Sequence, residues 1–276
     1  YSLDLALGVL LALGLAGWLF LFLRRPAALP RAPLRAMGPR LGVFERVCLA
    51  AIAASMLAAL VGALAPVTAW DATVAHPMVE QLGEGTLDES PFRYWVRQDY
   101  VYLVEYARVF ALGAANAPDL RRMSTFAELL DSTINTEMDL HRSYAADFGI
   151  SEAELEATEP SPTTRAYTDF LVRVAATGTF GDLVAALLPC MWGFNETARR
   201  LDEQGRPDHD GYSEWIEMYS GEEFSELVEW CKELIDDVAE DATAAERERY
   251  RDIFRTSARY EYRFWDAAWR EEGWGI

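Results

Sequence analysis

An all-α fold is predicted for residues 66–276 on three observations. Apolar residues recur there with a period near 3.6 and almost never alternate. Glycines at 149, 178, 205, 211 and 221 divide that pattern into helix-length pieces. Capping residues stand at the heads of the pieces, as at Ser90-Pro91 and at Ser151 with acids behind it.

The elements follow in order. Ser90 is expected to cap a helix with Pro91 in its first turn, running to about residue 115. One long helix covers 119–148 and stops at Gly149, and a short one opens at Ser151 with acids placed for the helix dipole. Further helices are expected at 163–177, 181–203, 211–219, 222–239 and 243–271, giving one bundle without internal repeats. Pro189 lies inside the 181–203 helix, where it removes one N–H from the ladder and is expected to kink the helix beside Cys190.

Residues 1–65 read differently. Two uncharged runs, 5–23 and 47–65, flank a connection that carries the six Arg of this region. A bilayer takes about 20 apolar residues to cross, so each run is expected to be a transmembrane helix with the Arg-rich connection on the cytoplasmic side. The chain starts with Tyr1, which leaves a second reading open: residues 1–65 are an extension not native to the domain.

Charge separates the two parts. Residues 1–70 hold six Arg against two acids (+4), and residues 71–276 hold 19 basic against 42 acidic residues (−23). Lys232 is the only lysine. An acidic, lysine-poor surface suits a very salty, halophilic cytoplasm, where screening is short-ranged. It argues against nucleic acid as a partner, since phosphate binding needs a basic patch. Three cysteines, Cys48, Cys190 and Cys231, make no disulfide framework.

Several polar residues interrupt the apolar stripes. Asp99 falls in the line Phe92, Trp95, Tyr102, Tyr106, Phe110; Glu261 falls among Tyr250, Ile253, Ser257, Phe264 and Trp265. Glu137 and His141 fall in the line Phe126, Leu130, Ile134, Tyr144, Phe148, and Cys190 shares a face with Leu183, Leu187 and Phe194. Carboxylates are almost never fully buried unpaired, so three of them with a histidine and a thiol predict a polar pocket at the bundle centre. Two chemistries fit it. Cys190 could act as a nucleophile while a buried acid moves protons. A carboxylate-bridged dimetal oxidase site is the other; Glu137 and His141 are four apart, whereas the di-iron bundle pattern spaces Glu and His by three.

An ordered set of segments carries a resemblance. It comprises His76-Pro77, Gly83-Glu-Gly-Thr-Leu87, Phe92-Arg-Tyr-Trp-Val-Arg-Gln-Asp-Tyr-Val-Tyr-Leu103, Glu137-Met-Asp-Leu-His141 and Ser161-Pro-Thr163 with Tyr167-Thr168. Ala186-Leu-Leu-Pro-Cys190, Trp215-Ile216, Tyr219 with Gly221, and Tyr260-Glu-Tyr-Arg-Phe-Trp265 complete it. Together they resemble the TenA/thiaminase II family across nearly the whole of residues 66–276. The resemblance implies a haem-oxygenase-like helical bundle, a cytoplasmic homotetramer and no cofactor or metal. It implies salvage of the thiamin pyrimidine: hydrolysis of 4-amino-5-aminomethyl-2-methylpyrimidine, and of thiamin, to hydroxymethylpyrimidine.

By the same resemblance Cys190 is the nucleophile, Glu261 the proton-transfer acid, and Asp99 the carboxylate that grips the amino and ring-nitrogen edge. Tyr102, Tyr167 and Tyr219 match aromatic positions around the ring; Phe194 stands where the family often has Tyr. Glu137 and His141 match as supporting positions, open between a structural pair and substrate contact. Metal-dependent relatives on this fold need a second histidine cluster, which Arg259–Trp265 lacks. A non-catalytic pyrimidine binder or regulator is the remaining alternative.

Overall fold

The computed structural model describes residues 71–275, so the two apolar runs at 5–23 and 47–65 lie outside the described residues. The chain divides into two units, Tyr1–Ala59 and Leu60–Ile276, and the described residues belong to the second. None of the described helices is long and apolar enough to cross a membrane.

The elements are α1 (Pro77–Glu84), α2 (Glu89–Asn116), α3 (Leu120–Ser132), a π-helical turn (Thr133–Glu137), α4 (Met138–Asp147) and α5 (Glu152–Glu156). They continue as α6 (Pro162–Thr177), α7 (Phe180–Gln204), α8 (Asp210–Ser220), α9 (Glu222–Glu240) and α10 (Ala244–Trp269), with no strand among the described residues. Reciprocal capping boxes open three of them: Ser151 with Glu154, Thr179 with Asp182, and Thr243 with Glu246. Each occupies two otherwise unpaired N–H groups at the start of its helix.

Two expectations about boundaries are corrected. Helix α2 begins at Glu89 with Asp88 in the capping position, and Ser90 instead donates to Glu271 at 2.7 Å, tying the start of α2 to the segment after α10. The helix expected over 119–148 is divided by the π turn, where the Met138 N–H reaches back to the Thr133 carbonyl. The wider turn changes which residue points inward: Thr133 is buried and Ile134, expected in the core, is 49% exposed.

Helix α7 is the axis of the bundle and packs against α1, α2, α6, α8, α9 and α10. Nearly every residue from Gly181 to Leu201 is buried or half-buried. The helix runs continuously through Pro189. Two hydroxyls reach carbonyls in the turn before the proline: Tyr106 Oη donates to Leu187 O at 3.2 Å and Ser257 Oγ to Ala186 O at 2.7 Å. The expected weakness in the ladder is thus buttressed from α2 and α10.

Close approach of α2 and α3 depends on Gly113. A Cβ there would lie 2.3 Å from Cδ1 of Phe126, whose ring is fully buried. In an exposed helix Gly→Ala stabilises by about 1 kcal/mol. Here overpacking dominates, so Gly113→Ala is expected to lose about 1–3 kcal/mol in urea denaturation.

Candidate active site

Asp99 lies on α2, Glu137 closes the π turn, and His141 follows on α4; Tyr167 is on α6, Cys190 and Phe194 on α7, Tyr219 on α8 and Glu261 on α10. The tertiary structure brings these residues together. The charges of Glu137 and Glu261 both bear on Asp99, and those of Glu261, Asp99 and Glu137 all bear on Cys190. Tyr102 and Tyr167 pack with ring centres 5.2 Å apart, and Phe194 and Tyr219 at 5.1 Å.

Cys190 keeps some accessible surface, whereas Pro189 and Met191 on either side of it are buried. Burial, and after it the charge of Glu261, pushes its pKa well above the ordinary thiol range. In the free protein the sulfur is therefore a protonated thiol. Tyr102 Oη is buried without an oxygen or nitrogen partner and faces this sulfur, holding the thiol pKa down in partial opposition.

Asp99 is 3% exposed. Its nearest charged-type neighbour is His141, with Nδ1 at 3.8 Å from Oδ2. His141 Nε2 lies 2.8 Å from the Val96 carbonyl, which can only accept, so Nε2 carries the proton and Nδ1 presents a lone pair. Burial lowers the His141 pKa and keeps the ring neutral. Burial first, then Glu137 and Glu261, raise Asp99 well above the usual carboxylate range.

Glu137 takes a bond from Thr133 Oγ1 to Oε2 at 3.2 Å and keeps accessible surface; burial raises its pKa. Glu261 is held by Tyr167 Oη, in short contact with Oε1, and Tyr167 Oη lies 3.1 Å from Ser257 Oγ. Burial pushes the Glu261 pKa up to about 7. Phe194 is enclosed by Trp95, Trp215, Trp265 and Tyr219, its ring centre 5.1–6.1 Å from theirs. Among the described residues no group of three or more His, Cys, Asp or Glu is arranged to hold a metal ion.

Ser257 and Tyr106 belong to this neighbourhood and were not singled out by the stripes. Ser257 was visible one turn before Glu261, but a serine in a stripe has no chemistry of its own until its partners are known. Outside the site, His76 caps α1 by accepting from the Met78 N–H at 3.2 Å, with Nε2 3.7 Å from Asp266. Its role is structural.

The sequence profile of the TENA/THI-4/PQQC family matches residues 66–271. The chain belongs to that family. The TENA/THI-4/PQQC relatives include the aminopyrimidine aminohydrolase of Halalkalibacterium halodurans, 46% identical over 206 residues, covering 74% of this chain and 92% of that protein. The aminopyrimidine aminohydrolase of Bacillus subtilis is 40% identical over 205 residues, covering 74% and 86%. The solved structure of a TenA homologue from P. horikoshii superposes with a TM-score of 0.70 at 29% identity, covering 75% of this chain and 95% of that one. The fold of the TENA/THI-4/PQQC domain is the haem-oxygenase-like helical bundle expected from the sequence.

The raised pKa of Glu261 has a consequence for stability. A carboxyl harder to ionise when folded imposes no penalty below its unfolded pKa of about 4.5, and an increasing one as pH rises through about 7. Glu261→Gln removes the titration. Its stability is expected to exceed that of the wild type by up to roughly 3 kcal/mol at pH 8. The advantage should disappear near pH 4, as measured by paired urea titrations at the two pH values.

Proposed function

We propose that this protein is an aminopyrimidine aminohydrolase of the thiaminase II type, acting on 4-amino-5-aminomethyl-2-methylpyrimidine and on thiamin. One observation supports it above the rest: the buried carboxyls of Asp99 and Glu261 lie close enough to Cys190 for their charges to act on its thiol. An aminopyrimidine edge offers the amino N–H and the adjacent ring nitrogen, which a protonated Asp99 can satisfy both ways. Among the described residues no Arg or Lys contributes to the electrostatics of Asp99, Glu137 or Glu261. A substrate whose leaving group is cationic, a protonated aminomethyl or a thiazolium, would supply the missing positive charge.

The chemistry balances with the residues present. The Cys190 sulfur bonds to the ring carbon next to the substituted one, while Glu261 gives its proton to the adjoining ring nitrogen and takes up the thiol proton in its place. The lone pair of the 4-amino group then drives out ammonia from the exocyclic methylene, leaving a carbon–carbon double bond there. Water adds to that methylene, and its released proton goes to the departing ammonia. Return of the ring proton to Glu261 and of the Glu261 proton to sulfur breaks the sulfur–carbon bond and frees hydroxymethylpyrimidine. Tyr102, Tyr167 and Tyr219 flank the ring, and Phe194 supplies an apolar wall without a hydroxyl. His141 orients the Asp99 side of the pocket.

The same reading takes the assembly as a homotetramer in the cytoplasm, and the acidic surface as suited to high salt. Anchoring through residues 5–23 and 47–65 remains part of the proposal on their hydropathy alone. The test is hydrolysis of the aminopyrimidine and of thiamin by the wild type and by Cys190→Ser. Turnover in the wild type with a loss of about 10³-fold or more in the variant is expected. Equal rates in both would remove the nucleophile, and binding without turnover in either would leave a pyrimidine-binding protein.

A further inference from the structure

The protons of the hydroxyl chain beside Glu261 can be counted. Ser257 Oγ lies 2.7 Å from the Ala186 carbonyl, which only accepts, so the single serine proton is engaged there. Ser257 Oγ also lies 3.1 Å from Tyr167 Oη. With its own proton committed, the serine can only accept in that contact, and the tyrosine must donate. Tyr167 then has no proton left for its contact with Glu261 Oε1, which is a hydrogen bond only when the carboxyl carries the proton.

The ionised state breaks this order. A Glu261 carboxylate draws the Tyr167 proton to itself, and the Tyr167 and Ser257 oxygens then face each other 3.1 Å apart with no proton between them. Alternatively Ser257 turns its proton toward Tyr167 and abandons the Ala186 carbonyl. Only with Glu261 protonated does each contact in the chain Glu261, Tyr167, Ser257, Ala186 O hold its own proton. Ser257 is fully buried, so water cannot repair the defect.

We propose that Ser257 is a positioning residue for the reaction: by engaging the Tyr167 proton it holds Glu261 as a neutral acid, loaded before substrate arrives. The proposal rests on the reading above, in which Glu261 transfers that proton. Among the described residues the groups that face Glu261 supply no competing cation. Asp99, Tyr102 and Tyr106 face it from α2, Tyr167 from α6 and Cys190 from α7, while Glu137 on the π turn acts through Asp99. On α10 itself the neighbouring inward residues besides Ser257 are Ala258, Phe264 and Trp265. Every titratable neighbour is neutral or anionic, so the direction of the hydroxyl chain is what distinguishes the two states of Glu261 by hydrogen bonding.

The test is Ser257→Ala, which deletes the acceptor and frees Tyr167 to donate to a Glu261 carboxylate. Two readouts are taken on the full chain: carbon-13 NMR titration of the Glu261 carboxyl, and the pH profile of kcat/KM with 4-amino-5-aminomethyl-2-methylpyrimidine. The Glu261 pKa is expected to fall by about one pH unit, the worth of one hydrogen bond, and the alkaline limb of the profile to move down with it. Adding Tyr167→Phe removes the donor and is expected to raise the pKa again, a reversal that simple loosening of the core would not produce. An unchanged or raised carboxyl pKa in Ser257→Ala overturns the proposal, whatever happens to the rate. If the pKa falls as expected while the wild type hydrolyses neither aminopyrimidine nor thiamin, the proton assignment stands and the hydrolase reading fails. Should Ser257→Ala prove unfolded, Ser257→Thr carries the test: retaining the hydroxyl, it must keep the wild-type Glu261 pKa, and a pKa lowered as by loss of the acceptor refutes the assignment.

Discussion

Asp99, Glu137 and Glu261 share the bundle interior with the Cys190 thiol, and among the described residues no Arg or Lys contributes to their electrostatics. Taking a carboxylate out of water costs several kcal/mol, and each further negative charge nearby adds to that cost. The interior therefore holds protons instead of counter-ions. All four groups are raised, burial being the first cause in each. A site of this kind carries less negative charge than four freely solvated groups would.

The scaffold around that constraint is rigid. Helix α7 carries Cys190 through the middle of the bundle, and Ser257 and Tyr106 brace it in the turn before Pro189. Trp95 and Trp265 stack with rings 6.0 Å apart and only 10° from parallel, and Phe194 lies across both. Aromatic residues with two side-chain torsions hold such a wall at little entropic cost. Ser257 bonds α7 while facing Tyr167, so one small side chain joins the support of the Cys190 helix to the contact between Tyr167 and Glu261.

Much of this was legible in residue order. Asp99 and Glu261 stand in stripes of aromatic residues, and both prove almost fully buried. The helices after Gly149 fall within a few residues of their expected limits because glycines and capping boxes mark them. Where the reading slipped, a non-local contact had intervened. Ser90 looked like a cap but is engaged by Glu271, far along the chain. Ile134 fitted a 3.6 period but faces outward, because the π turn passes the inward position to Thr133, which then bonds Glu137. His141 fits a structural or a substrate-facing place in its stripe, and its contact with the Val96 carbonyl comes from another helix.

The sequence by itself determined that the domain is helical, which faces are apolar and which polar residues interrupt them, because periodicity and capping act within a few residues along the chain. It also determined family membership, through motifs kept in order. Only the tertiary structure decided that the interruptions on α2, the π turn, α7 and α10 meet in the bundle interior, where their charges act on one another. Proton placement depends on which donor faces which acceptor across helices, and no local pattern in the chain specifies that geometry.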